Sequence, residues 1–141
     1  MLRRAFTSVS FGLLSVAAVL AQSSSVPAKD AGMATPRPKV VTLDTAGKDY
    51  LQVLAGPPET VTMKSGLVVL APGKSVGKHS TRHHEEILVV LSGKGEMTFA
   101  DGSKLPVEGG HALYCPPETE HNVTNTGNTE LRYVYVVSST S

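Results

Sequence analysis

Three histidines fall within six residues, His79, His83 and His84, and Glu85 and Glu86 follow at once, leading into the apolar run Ile87 to Leu91. Imidazole nitrogens and carboxylate oxygens are ordinary ligands of divalent metal ions, and packing alone seldom needs so many histidines in so short a span. The cluster points to metal coordination, with a solvated polar turn as the plainer alternative. A second block, Gly110 to Asn125, supplies His121 and strengthens the metal reading. His111, beside Gly110, reads as a surface-turn residue. Glu85 and Glu86 are neighbours, so on a strand they point to opposite faces. Only one of the two can then face a site inside the fold, and the other is exposed, with a general base at the pocket rim as its functional alternative.

These groups need a scaffold that brings distant segments together. From Val40 onward the chain consists of short runs rich in Val, Leu, Thr and Tyr, separated by turn residues. Candidate strands are Val40–Leu43, Tyr50–Leu54, Thr60–Leu70, Glu86–Leu91, Gly95–Ala100, Lys104–Val107, Ala112–Cys115, His121–Thr124 and Leu131–Val137. Between them stand Gly56-Pro57-Pro58, Pro72-Gly73, Gly109-Gly110, Pro116-Pro117 and Asp101-Gly102, the last a two-residue hairpin signal. No apolar period of 3.6 residues persists, and no repeat suggests a solenoid. Closely spaced short strands predict an all-β sandwich or barrel forming a single domain. Met63, Val69, Leu88, Val90, Phe99, Leu113, Tyr133 and Tyr135 are the expected core, with a minority facing a ligand pocket.

The 141 residues suffice for one domain with a real core, and 13 basic against 12 acidic residues favour neither nucleic acid nor an anionic membrane as partner. Residues 1–21 differ in kind: Arg3 and Arg4 precede the apolar run Phe11 to Ala21, which ends in Val-Leu-Ala. That pattern predicts a secretory signal cleaved before Gln22, since the run falls short of the roughly 20 apolar residues that span a bilayer. Residues 22–39, rich in Ser, Pro and Ala, read as a flexible linker to a folded domain over residues 40–138. The mature protein is then expected to be secreted or periplasmic and free of the membrane. Cys115 is the one cysteine, so it reads as a small packing residue, with a metal-facing thiol as the alternative.

Two motifs together resemble those of the cupin superfamily, and in particular its small single-domain, cupin-2-like members. Gly73, His79, Glu86 and Gly93 fall at the spacing of the first motif, and Gly110, Pro116, His121 and Asn125 at that of the second. Thr81 stands where the first motif has its second histidine, and Glu118 where the second has a glycine. The resemblance implies a double-stranded β-helix, or jelly-roll barrel, with one divalent ion (Mn, Fe, Ni or Zn) held by His79, Glu86 and His121. The place at 81 falls to His83, to His84 or to no residue, with the Thr81 hydroxyl able to hold a metal-bound water. Asn125 either secures a turn or supports the site from behind the ligands. It further implies a small-molecule substrate, with dioxygenase, decarboxylase or isomerase chemistry unresolved, and a homodimer paired through an edge strand such as Val40–Leu43. A non-catalytic barrel binding a sugar or organic acid is the alternative function, and a storage barrel has the least support.

Overall fold

Alternation decides most of the architecture. In His84–Ser92, residues 86, 88 and 90 are buried while 85, 87, 89 and 91 are exposed, the period of a strand with one face inward. The computed structural model describes residues 35–140, and they contain eight strands: β1 Tyr50–Leu54, β2 Lys64–Leu70, β3 His84–Ser92, β4 Lys94–Phe99, β5 Lys104–Glu108, β6 Ala112–Cys115, β7 His121–Asn125 and β8 Leu131–Ser139. No helix long and apolar enough to cross a membrane occurs among the described residues.

The strands form two antiparallel sheets, one ordered β1-β2-β8-β3-β6 and the other β5-β4-β7. Leu88, Val90, Leu113, Leu131 and Tyr133 of the larger sheet meet Met97, Val107 and Val123 of the smaller one in a single buried cluster. Each such side chain contributes roughly 1.5–3 kcal/mol on leaving water, so this inner layer holds the sheets together. The fold is the all-β jelly-roll barrel expected. β3 is an interior strand, pairing with β8 on one side and with β6 on the other.

The free edge of β7 is covered by the segment before β3. Ser75 bridges Thr124 and His79 bridges His121, each antiparallel and outside any named strand. The segment thus runs along β7 and carries the first motif to the second.

Several turns require special backbone. Gly93, between β3 and β4, has φ of 85°, and a Cβ there would lie 2.3 Å from the Glu130 carbonyl oxygen. The hairpin between β4 and β5 forms as expected, but with three residues in its loop. The Gly102 amide donates to the Phe99 carbonyl, the Phe99 amide to the Ser103 carbonyl, and Gly102 alone adopts positive φ, at 83°.

Two expectations are corrected. Val40–Leu43 is not a strand: Val40 is 97% exposed and the segment joins no ladder. Its β-type residues lack a neighbouring strand, and propensity reports fit to a pleated surface rather than the presence of a partner. Met63 is half exposed rather than core, because β2 begins only at Lys64, after a turn in which the Thr60 hydroxyl donates to the Met63 carbonyl.

Candidate metal centre

Three chain segments meet at one end of the barrel. His121 opens β7, and its backbone exchanges two hydrogen bonds with His79, amide to carbonyl at 3.0 Å and 2.9 Å. That register sets the two imidazoles side by side, ring centroids 4.4 Å apart and planes inclined by 60°. Glu86 arrives from β3, turned inward by strand parity and flanked by Cys115 and Val137 on the neighbouring strands. One ligand atom from each of His79, Glu86 and His121 lies within 4.8 Å of the others.

The second nitrogen of each ring fixes what the first can do. His79 Nδ1 lies 2.9 Å from the Gly77 carbonyl and His121 Nδ1 3.0 Å from the Thr119 carbonyl. A carbonyl only accepts, so each Nδ1 carries the proton and each Nε2 is left with its lone pair for a ligand. His121 Nε2 sits 3.1 Å from Glu86 Oε2, with the two side chains 1% and 6% exposed. The contact is off the line of a hydrogen bond, and Oε2 is left buried without a hydrogen-bond partner. A buried carboxylate oxygen with no partner is costly, and two imidazole lone pairs beside it only add negative character. A dication between them would satisfy all three, so the residues present fit a metal ion.

A proton on His121 answers part of the same charge. Burial opposes the charged form of His121, but the Glu86 carboxylate and the Thr119 carbonyl outweigh it and raise the pKa above the ordinary 6.5. The Cys115 thiol, 3.3 Å from His121 Nδ1, is pushed up to about 11 by burial and by Glu86. It is a protonated packing group, and it stands outside the cluster of His79, Glu86 and His121. Burial likewise raises the hydroxyls of Tyr133 and Tyr135, the latter helped by its hydrogen bond with Tyr50.

The cluster lies in a cavity of about 370 Å³, whose lining includes Thr81, Tyr133 and Tyr135 together with aliphatic side chains. Sequence parity along β8 holds the signal for the tyrosines: residues 131, 133, 135 and 137 share the inner face, and those toward the open end line the cavity. Gly66 matters to the same wall, since a Cβ there would fall 2.5 Å from the Tyr50 ring and 2.8 Å from that of Tyr135.

Neither candidate for the missing histidine is in the cluster. His83 is exposed and its Nδ1 lies 2.9 Å from Glu118 Oε1. His84 is held in a local turn: its Nδ1 lies 3.1 Å from the Thr81 carbonyl, and the Thr81 hydroxyl donates to the His84 carbonyl. The turn between Thr81 and β3 thus breaks the period-two parity that would have carried an imidazole inward. Thr81 does face the cavity, but Asn125 does not. Its amide donates to the Leu70 and Thr129 carbonyls, and its oxygen accepts from the Gly127 amide. Asn125 fastens the β7–β8 turn, the first of its two expected roles. Glu85 is exposed on the outer face and accepts from the Tyr114 hydroxyl, and His111 stands 3.7 Å from Glu108 at a surface turn.

The cupin domain family model matches residues 66–137, half of the chain, spanning both motifs. The chain belongs to the cupin family. Among solved structures, this cupin resembles a cupin 2 conserved barrel domain protein from Salinispora arenicola, with TM-score 0.62 and 24% identity over 74% of this chain and 91% of that one. It is 36% identical over 69 residues to an oxalate-binding protein of Thermotoga maritima, covering 48% of this chain and 55% of the relative. It is also 36% identical over 73 residues to a glucose-6-phosphate isomerase of Pyrococcus horikoshii, covering 43% of this chain and 38% of the relative. The cupin thus spans about half the length, or less, of these curated relatives.

Proposed function

We propose that this cupin binds one divalent ion (Mn, Fe, Ni or Zn) through His79, Glu86 and His121 and acts on a small organic molecule held above it in the cavity. The observation that carries the proposal is the buried, unpartnered Glu86 oxygen beside two imidazoles whose outer nitrogens are already committed to carbonyls. Three protein ligands leave coordination positions open, and two histidines with one carboxylate form the donor set of oxygen-activating iron sites as well as of Lewis-acid centres. Among the described residues Glu86 is the one carboxylate that lines the cavity, so it is both ligand and the group placed to take a proton. Thr81 keeps hydroxyl lone pairs at the cavity wall after donating to His84. The two relatives, an oxalate-binding protein and a glucose-6-phosphate isomerase, support a small oxygen-rich ligand and leave decarboxylase, dioxygenase and isomerase chemistry all within this proposal. A non-catalytic binding barrel is the second reading, favoured by the oxalate-binding relative.

Elemental analysis of the purified protein, repeated on His79→Ala and His121→Ala, tests the site. One ion per chain in the native protein and its loss in both variants is the expected result. Turnover by the loaded protein separates the enzyme from the binding barrel.

The proposal includes export, on the pattern of residues 1–21, which lie outside the described residues. N-terminal sequencing of the mature protein should begin at Gln22. It also includes a homodimer. Val40–Leu43 is not available as a strand, and support comes instead from the outer face of the larger sheet, where Ile87, Val89, Leu91 and Tyr114 are 40–58% exposed. Light scattering giving a monomer mass would remove it.

A further inference from the structure

The charge inventory of the cavity restricts what it can hold. Of the side chains that line it, only His79, Glu86 and His121 can carry charge near neutral pH. No lysine or arginine lines it among the described residues. Lys78 and Arg82, on either side of His79 in sequence, are exposed and outside the lining. The rest of the surface is aliphatic, chiefly Val76, Leu88, Val123 and Val137, with neutral hydroxyls from Thr81 and Tyr133. The Tyr133 hydroxyl makes no hydrogen bond with a described residue, so it is free to donate into the cavity. At about 370 Å³ the space is near the lower end of ligand pockets, which run roughly 300–1,000 Å³.

A divalent ion and the Glu86 carboxylate sum to a single positive charge. A chelating monoanion brings the site to neutrality. A dianion would leave one uncompensated negative charge among valines, with no guanidinium or ammonium to meet it, and an unpaired buried charge is expensive. We infer that the site takes a monoanionic oxygen chelator with an apolar body, such as an α-hydroxy or α-oxo monocarboxylate bearing an aliphatic or aromatic group, and discriminates against compact dianions. The apolar body would lie on Val76, Val123 and Val137, and Tyr133 would donate to the anionic head. This inference rests on the metal reading above.

The test uses the full mature chain, loaded with nickel and checked for one ion per chain before any ligand is added. Calorimetric titration then compares glycolate, lactate and mandelate, which share one chelating head, with tartronate, which replaces the apolar group by a second carboxylate, and with oxalate. Free metal ions in water favour the dianions, so a reversed order is the work of the site. Affinity should rise from glycolate to mandelate, and mandelate should bind at least about tenfold more tightly than tartronate, the scale of 1.4 kcal/mol. Val76→Lys places a cation in the lining and removes part of the apolar wall, so it should raise tartronate affinity by about tenfold and lower that of mandelate. Tartronate or oxalate binding the wild-type protein as tightly as mandelate overturns the inference and leaves the metal site standing. Failure to load nickel overturns the metal reading and this inference with it. If Val76→Lys does not fold, the wild-type series still decides.

Discussion

Arg82 and Glu118 meet with both backbones in the left-handed region, φ 52° and 58°, and the Glu118 amide donates to the Arg82 carbonyl at 2.7 Å. The contact ties the turn before β3 to the turn before β7, and so ties the two motifs together at the barrel mouth. Glu118 occupies the place where the resemblance has a glycine, and its side chain pairs with the exposed His83. A left-handed non-glycine residue costs roughly 1–2 kcal/mol, whereas an exposed ion pair contributes roughly 0–1 kcal/mol. Glu118→Gly should therefore leave stability unchanged or raise it by up to about 1 kcal/mol. Urea unfolding of Glu118→Gly beside Glu118→Gln separates backbone strain from the ion pair, and a clear loss in the glycine variant would contradict this reading.

The motif glycines Gly93 and Gly110 should respond differently to alanine. Both have positive φ, 85° and 90°, but a Cβ at Gly93 runs into the Glu130 carbonyl and Leu131 Cα, while one at Gly110 meets nothing within 4 Å. Gly110→Ala should cost only the backbone term, about 1–2 kcal/mol. Gly93→Ala should cost clearly more, since neither backbone neighbour can yield without moving β8. Equilibrium unfolding of the pair checks the order.

Stability of the metal-free protein should depend on pH through His121. Its folded pKa is raised above the ordinary 6.5, so the folded state holds that proton more tightly than the unfolded chain. The stabilisation is present in full below pH 6.5 and is lost as pH rises through the folded value. The melting temperature of the chelator-treated protein should fall over that window, and His121→Ala should flatten the profile. Metal affinity should move the opposite way, strengthening as pH rises and the ion no longer competes with the proton.

Gly66→Ala should disturb the cavity wall from outside it. The added methyl displaces the rings of Tyr50 and Tyr135, breaking the 3.0 Å contact between their hydroxyls. Metal content should be unchanged, because the atoms nearest the added methyl belong to Tyr50 and Tyr135 and not to the three ligands. Mandelate affinity of the loaded protein should fall several-fold. Equal affinity would show that Tyr135 does not shape the occupied cavity.

Much of this architecture was legible in the chain because alternation is local. Glu86, Leu88 and Val90 announce the inner face of β3, and Ala112–Cys115 is a strand over the residues its texture predicts. Val40–Leu43 misled because a strand is defined by a neighbour, which a propensity cannot supply. The same limit separates the ligands from their neighbours. His79 enters the cluster through a backbone bridge to His121, forty-two positions along the chain, whereas His84, closer to Glu86 in sequence, is turned aside by Thr81. Tyr133 and Tyr135 have the parity of core residues, and only the packing of the two sheets decides that they border open space.

The asymmetry of the three ligands has a kinetic consequence. Glu86 and His121 are buried and set in ladders, while His79 is exposed and belongs to a segment attached to β7 by isolated bridges, with amides of Gly73, Val76 and His79 donating to β7 and those of His121 and Asn125 donating back. That segment can peel away without disturbing either sheet, at a fraction of the free energy of global unfolding. Exchange of the ion with solvent would then proceed through release of His79 first, so the off-rate of the metal and the hydrogen-exchange rate of the His79 amide should rise and fall together.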